Sequence, residues 1–256
     1  MPAHFNESTG VNRVMIKVVV NGAAGHMGRI VVDKVKEDPE LTLAAVVDPY
    51  DDEMLSSVRG VTSEDDVVID FSNHEGTVDF LKACEEKNLP VVLCTTGHTE
   101  EELKLIDEAS KNIAIFRSAN MSVGVALVAK IVEEVAAKFN GEIEILEAHH
   151  NRKLDAPSGT AIMLADAAKK ARPESSYECG RSGQHKREKN EIGINSIRMG
   201  NIVGMHEVMF GTDTQTITIK HEAHDRALFA DGAIDAAKFL VGKAPGLYNM
   251  DDLLGE

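Results

Sequence analysis

The run Gly22-Ala23-Ala24-Gly25-His26-Met27-Gly28 constrains this chain more than any other feature. It comes after Val14 to Val20, a short β-branched apolar run that reads as a buried strand. It leads into His26 to Glu37, where Met27, Ile30, Val31 and Val35 recur at helical spacing. Glycine permits positive φ in a tight turn and lets the backbone approach a ligand closely. The helix after the turn offers free N–H groups and its positive dipole end to a phosphate. A plain strand-to-helix turn is the alternative reading of the glycines alone.

The next strand and its end favour the phosphate. Leu41 to Val47 is a second apolar run, and Asp48 stands directly after it, twenty residues beyond Gly28. An acidic residue there is placed to bind ribose hydroxyls, so the segment reads as a dinucleotide-binding unit. The Asp48 carboxylate would repel a 2′-phosphate, and Pro49-Tyr50-Asp51-Asp52 supplies no Arg or Lys to offset it. NADH is therefore expected in preference to NADPH, with NADPH still usable.

Strands and helices continue to alternate. Asp66 to Phe71, Pro90 to Cys94 and Ile113 to Phe116 read as strands; Glu75 to Lys87, Glu100 to Lys111 and Ser122 to Phe139 read as helices. This spacing implies βαβ units and a parallel sheet covered on both faces. The pattern then changes. Glu142 to His149 is a strand and Gly159 to Lys170 a helix. Pro173 to Glu191 is polar and reads as a long mobile loop. Gly193 to Arg198, Val203 to Phe210 and Thr214 to His221 are strand-like, separated by short turns around Gly200 and Gly211, and Ala227 to Val241 returns to helix. Short turns predict a mostly antiparallel sheet. The expected class is α/β: a Rossmann-like domain over residues 1–120, with 227–256 folding back onto it, and an α+β substrate domain over 121–226.

Composition narrows the partners. The 256 residues carry 27 Lys and Arg against 42 Asp and Glu, a net charge of −15. So acidic a chain is ill suited to nucleic acid or to anionic membrane surfaces, both of which need a positive face. No run approaches the ~18 apolar residues of a membrane span. Met1 to Arg13 lacks the basic start and apolar run of a signal peptide and reads as a loose extension. Cys84, Cys94 and Cys179 are scattered, with no CxxC, which fits a reducing cytoplasm rather than a disulfide framework.

A basic cluster stands out from this background. Glu147-Ala148-His149-His150-Asn151-Arg152-Lys153-Leu154-Asp155-Ala156-Pro157-Ser158-Gly159-Thr160 puts two His, one Arg and one Lys within five residues. Ser158 can cap the helix that starts there, and Pro157 is tolerated in a first turn. The N–H groups of Gly159 and Thr160 would extend an anion site. A small carboxylate suits such a place; a solvated basic turn is the bland alternative. On a regular strand His149 and His150 point to opposite faces, so only one faces a substrate unless the strand ends between them. His4, His74, His98, His185 and His206 read as packing or surface residues. Met121, Met163 and Met199 read as core filler. His221-Glu222-Ala223-His224 is one residue short of a zinc helix motif, and no metal is expected.

The basic stretch closely resembles the EAHHxxKxDAPSGTA motif of the dihydrodipicolinate reductase family of the lysine and diaminopimelate pathway. Met27-Gly28-Arg29, Val68-Ile69-Asp70-Phe71-Ser72, Thr95-Thr96-Gly97, Ser118-Ala119-Asn120-Met121-Ser122-Val123-Gly124 and Arg198-Met199-Gly200 also resemble that family's sequences. The resemblance covers nearly all of the chain after the first thirteen residues. It implies reduction of a cyclic unsaturated dicarboxylate to tetrahydrodipicolinate by NADH or NADPH, in a homotetramer. By resemblance, Gly22, Ala23, Ala24, Gly25, His26 and Met27 hold the pyrophosphate and Asp48 the adenosine ribose. Cys94, Thr95, Thr96, Ser118, Ala119, Asn120 and Met121 flank the nicotinamide. His149 and Lys153 match acid/base residues. His150, Gly159 and Thr160 match contacts to substrate carboxylates, and Arg226 resembles an Arg near the substrate. Two other readings stay open: a related nicotinamide enzyme on another amino-acid intermediate, and a non-catalytic sensor that binds NADH.

Overall fold

The structure, a computed structural model, describes residues 15–62 and 67–255. The extension before it, with His4, and Val14 and Asp66 at the starts of two expected strands lie outside the described residues.

Six parallel strands form the first sheet, in the order β11-β5-β4-β3-β1-β2. They are β1 (Ile16–Asn21), β2 (Leu41–Val47), β3 (Val67–Asp70), β4 (Val91–Leu93), β5 (Ala114–Arg117) and β11 (Gly246–Tyr248). Helices cover both faces, which is why these strands are apolar without alternation. On one face α1 (His26–Glu37) and α6 (Ala227–Leu240) bury Val18, Val20, Val31, Val35 and Phe116. On the other, α2 (Thr77–Lys87) and α3 (Glu100–Ser110) bury Val19, Val68, Leu81, Ile106 and Ile115. Burying each such side chain contributes roughly 1.5–3 kcal/mol. β11 pairs with β5, so the end of the chain returns to the first sheet. A three-residue strand has no pattern of its own, and the sequence reading ended at the helix before it. α7 (Met250–Leu253), one short turn, comes after it.

The second sheet has the order β10-β9-β6-β8-β7. Its strands are β6 (Glu142–His149), β7 (Ser176–Cys179), β8 (Glu191–Arg198), β9 (Gly204–Gly211) and β10 (Thr216–Ala223). β10-β9-β6 are antiparallel as expected, while β6-β8 and β8-β7 are parallel, so the sheet is mixed. The short turn from β8 to β9 does not make a hairpin, because β6 lies between them. β7 corrects the reading of 173–191 as one long mobile loop. It takes an edge position, where Tyr177 donates to Asp166 and Lys169 sits over its ring. Met199 is also corrected: it is 61% exposed, in the turn that crosses the end of β6.

Two helices, α4 (Val123–Lys138) and α5 (Gly159–Ala171), lie on one face of this sheet. Ile143, Ile145, Ile192, Ile194, Val208 and Phe210 fill the space beneath them. With a period of two, the same face of β6 continues through Glu147 and His149. The apolar core thus runs into polar residues where the strand ends.

Candidate active site

At the C-terminal edge of the first sheet the glycine turn closes as its sequence requires. Gly22 has φ +75°, and a Cβ there would lie 2.6 Å from the Phe71 carbonyl oxygen. A Cβ on Gly28 would lie 2.0 Å from the Gly22 carbonyl oxygen, so helix and turn touch through backbone alone. The turn uses its first amides internally. Those of Gly22 and Ala23 donate to Val47, and that of Gly25 to Gly22. Asp48, 7% exposed, accepts from Ala24 N at 3.1 Å and from Tyr50 N at 3.0 Å. No side chain caps α1, and its first amides, on His26 and Met27, stand at the mouth of the turn. A cavity of about 460 Å³ opens there, lined by Gly22, Gly25, Asp48, Tyr50 and Ser72 among others, with neither Lys nor Arg among the described residues of its wall.

Below this cavity Asp70 is fully buried. It accepts from Asn21 Nδ2 at 2.7 Å, Ser72 Oγ at 2.6 Å and Thr95 Oγ1 at 2.6 Å. Burial pushes its carboxyl up despite these donors. Thr95 therefore spends its hydroxyl inward. Cys94 is buried too, its thiol against the Val92 carbonyl and pushed well up by burial. Only Thr96 of this trio is exposed. Burial thus leaves the Cys94 and Thr95 side chains little surface to offer a ligand. Met121 is buried at 5%, Ser118 and Asn120 are half-buried and Ala119 is exposed.

The basic cluster gathers as its sequence promised. β6 ends at His149, and His150 stands next in a turn whose Lys153 N donates to the His150 carbonyl. Both rings can therefore serve one place. Arg226 Nη2 lies 3.2 Å from His150 Nε2. Burial lowers the pKa of His150, and the charges of Arg152, Arg226, His149 and Lys153 lower it further. Lys153 pairs with Asp155 at 2.9 Å. Ser158 caps α5, accepting from Ala161 N at 3.2 Å; Pro157 stands one residue before the cap, outside the first turn. Gly159 faces open space: a Cβ added there would meet nothing within 4 Å. Next to it, Thr160 Oγ1 accepts from Asn120 Nδ2 at 3.0 Å. This bond joins the loop after β5 to the first turn of α5.

Three residues gain a place here that the sequence reading did not give them. Glu147 is 0% exposed. Its Oε2 lies 2.6 Å from His149 Nδ1, and its Oε1 accepts from Ser158 N at 3.1 Å. Arg198 grips both oxygens, at 2.8 and 2.7 Å. Burial opposes the Glu147 charge, but Arg198, His149, Ser196 and Ser158 outweigh it and hold the carboxyl at about 2. His206, read as packing, is 4% exposed, with Nε2 3.1 Å from Ser158 Oγ and its ring edge-on to His149 at 5.1 Å between centroids. Burial, then the charge of His149, pushes it down to about 4. The period-two spacing of Glu147 and His149 was a usable signal. Arg198 stood in a stretch that resembles the family, but its bond to Glu147 had no local signal, because it arrives through register, as the β8 partner of His149. Among the described residues no three His, Cys, Asp or Glu side chains form a group that could hold a metal ion.

Comparison with known proteins identifies the family. Residues 16–121 match the family model described as dihydrodipicolinate reductase, N-terminus, and residues 124–254 match dihydrodipicolinate reductase, C-terminus. The 4-hydroxy-tetrahydrodipicolinate reductase of Caldanaerobacter subterraneus subsp. tengcongensis is 48% identical over 248 residues, covering 94% of this chain and 99% of that one. The protein of the same name from Clostridium tetani is 45% identical over 249 residues, 94% and 98% of the two chains. Among solved structures, dipicolinate-bound dihydrodipicolinate reductase from Paenisporosarcina sp. TG-14 superposes with a TM-score of 0.76 at 25% identity, covering 92% of this chain and 97% of that one. A probable dehydrogenase from Thermotoga maritima shares the fold alone, with a TM-score of 0.61 at 11% identity over 93% and 92% of the chains. With both halves matched and nearly full-length relatives of this similarity, the chain belongs to the dihydrodipicolinate reductase family.

Proposed function

We propose that this chain reduces 4-hydroxy-tetrahydrodipicolinate to tetrahydrodipicolinate with a reduced nicotinamide dinucleotide, the 4-hydroxyl leaving as water before the resulting unsaturated ring takes up hydride and proton, and that it uses NADH in preference to NADPH. The observation that carries the reading is the gathering of His149, His150, Lys153 and Arg226 at the end of β6, where Glu147 ties His149 to Ser158, the cap of α5, and Thr160 in that helix is bonded across to Asn120. A dicarboxylate fits a cationic cluster beside free helix amides. The Paenisporosarcina relative carries dipicolinate, a ring dicarboxylate.

The residues present fit the dinucleotide. The uncapped start of α1, at His26 and Met27, suits a pyrophosphate. Asp48 keeps lone pairs on both oxygens beyond the two amides it accepts, enough for ribose hydroxyls. Its charge, and the absence of Lys and Arg among the described residues of the cavity wall, support NADH over NADPH. Backbone of Cys94-Thr95-Thr96 and of Ser118 to Met121 would flank the nicotinamide, which when bound supplies the hydride. The protein's part is to hold the substrate and deliver a proton. Gly159, Thr160, His150 and Arg226 hold the carboxylates. His149 gives its proton to the ring carbon beside the one reduced. Lys153 neutralises charge as it develops there.

In this reading residues 1–120 with 227–256 carry the cofactor and 121–226 the substrate. A homotetramer would form through the face of the second sheet opposite α4 and α5, where Leu146, Met205 and Met209 are half-buried. No helix among the described residues is long and apolar enough to cross a membrane, and the three cysteines are free, which fits the cytoplasm. Titration with dipicolinate tests the substrate site. It should bind, compete with substrate, and lose affinity in Thr160→Val and Arg226→Ala. Binding unaffected by either change would contradict the assignment.

A further inference from the structure

Glu147 lies on the inner face of β6, two residues before His149 and beyond the last isoleucine of the core. A carboxylate there is costly to bury unless it is fully bonded. It is: His149, Arg198 and Ser158 N share its two oxygens. Such an arrangement exceeds what packing needs, since an apolar residue of similar volume would serve a core at least as well.

We propose that Glu147 is a positioning residue for the reaction, fixing the His149 imidazole through Nδ1 and holding it in register with the substrate-binding turn of α5. The proposal rests on the reading of His149 as the proton donor. An ionised carboxylate only accepts hydrogen bonds, so His149 Nδ1 carries a proton and Nε2 is the atom that exchanges one. The same carboxylate fixes the Ser158 amide, one residue before Gly159 and Thr160. Acid and carboxylate-binding turn thus share one anchor. Arg198 from β8 keeps that anchor charged. The other titratable groups around His149 are His206 on β9, with His221 beside it on β10, and His150 and Lys153 in the turn. Among the described residues His206 bonds to Ser158 Oγ and to no carboxylate, and it stays uncharged at neutral pH. Two neighbouring imidazoles are thereby assigned different work by one carboxylate.

The test has an arm free of activity and an arm that needs it. In the unmodified protein, nitrogen-resolved NMR of the histidine rings should show a slowly exchanging Nδ1 proton at neutral pH that disappears in His149→Gln. An unprotonated His149 Nδ1 overturns the proposal, whatever the substrate proves to be. In the kinetic arm, Glu147→Gln should lower kcat about 10²-fold with KM changed little, and move the alkaline limb of the rate profile to lower pH. Glu147→Asp keeps the charge against Arg198 but falls short of Nδ1, so it should lose kcat similarly. In a His149→Gln background, Glu147→Gln should add almost no further loss. Full multiplication of the two losses, or full activity in Glu147→Asp, would show a merely structural carboxylate.

Discussion

The Asn120 amide donates to the Thr160 hydroxyl at 3.0 Å, across the gap between the two sheets. The carbonyl of the same Asn120 side chain accepts from Ser122 N at 2.8 Å, just before α4. One side chain therefore sets the loop expected at the nicotinamide against the turn expected at the substrate.

Asn120→Ala should loosen both sites at once. We expect KM for dinucleotide and for substrate to rise together, by roughly 10-fold, the scale of one neutral hydrogen bond of about 1 kcal/mol plus an unsatisfied Ser122 amide. Initial rates with each ligand varied against the other check this. A rise confined to one ligand would contradict the bridging role.

Lys153→Ala should lower kcat by ~10²–10⁴ if the ammonium takes part in the proton step. Its ion pair with the largely exposed Asp155 contributes little to stability. The melting temperature should barely move. Near-normal kcat would remove Lys153 from the chemistry.

Two buried groups make folding depend on pH in the acid range. The folded-state pKa of His206 is depressed to about 4. Between there and its unfolded value of about 6.5 the unfolded chain binds the extra proton. The stability due to neutral His206 is thus fully present above about pH 6.5 and lost as pH falls toward 4, about 3 kcal/mol in all. Glu147, depressed to about 2, adds a second loss below its ordinary 4.5. Urea unfolding should therefore weaken well before the carboxylate range. His206→Asn should flatten the portion between pH 6.5 and 4, and an unchanged slope there would refute the assignment.

Asp48→Ser should narrow the preference for NADH, because it removes the charge expected to repel a 2′-phosphate. The variant also gives up acceptors for Ala24 and Tyr50, so activity with NADH should fall. The ratio of kcat/KM for the two cofactors is the quantity to measure. A ratio unchanged by the substitution would place the preference elsewhere.

The features readable from the chain alone are those that local chemistry writes. The glycine turn, the run of β6 to His149 and the Ser158 cap each need only neighbouring residues, and each lies where the pattern puts it. What escaped depends on pairing at a distance. β11 is three residues that become a strand only beside β5, and β7 is a polar edge that exists only along β8. Arg198 meets Glu147 across 51 residues through strand register, and His206 meets Ser158 across 48. Asp48 shows the other limit: a carboxylate read as ligand-facing also ties its own glycine turn.

The most direct test is to supply 4-hydroxy-tetrahydrodipicolinate, generated in situ, and monitor oxidation of NADH and, in parallel, of NADPH. The account predicts oxidation that depends on the dicarboxylate, faster at limiting NADH than at limiting NADPH, with tetrahydrodipicolinate as product. Binding of NADH without turnover of either cofactor would contradict it and point to a different substrate or to a sensor.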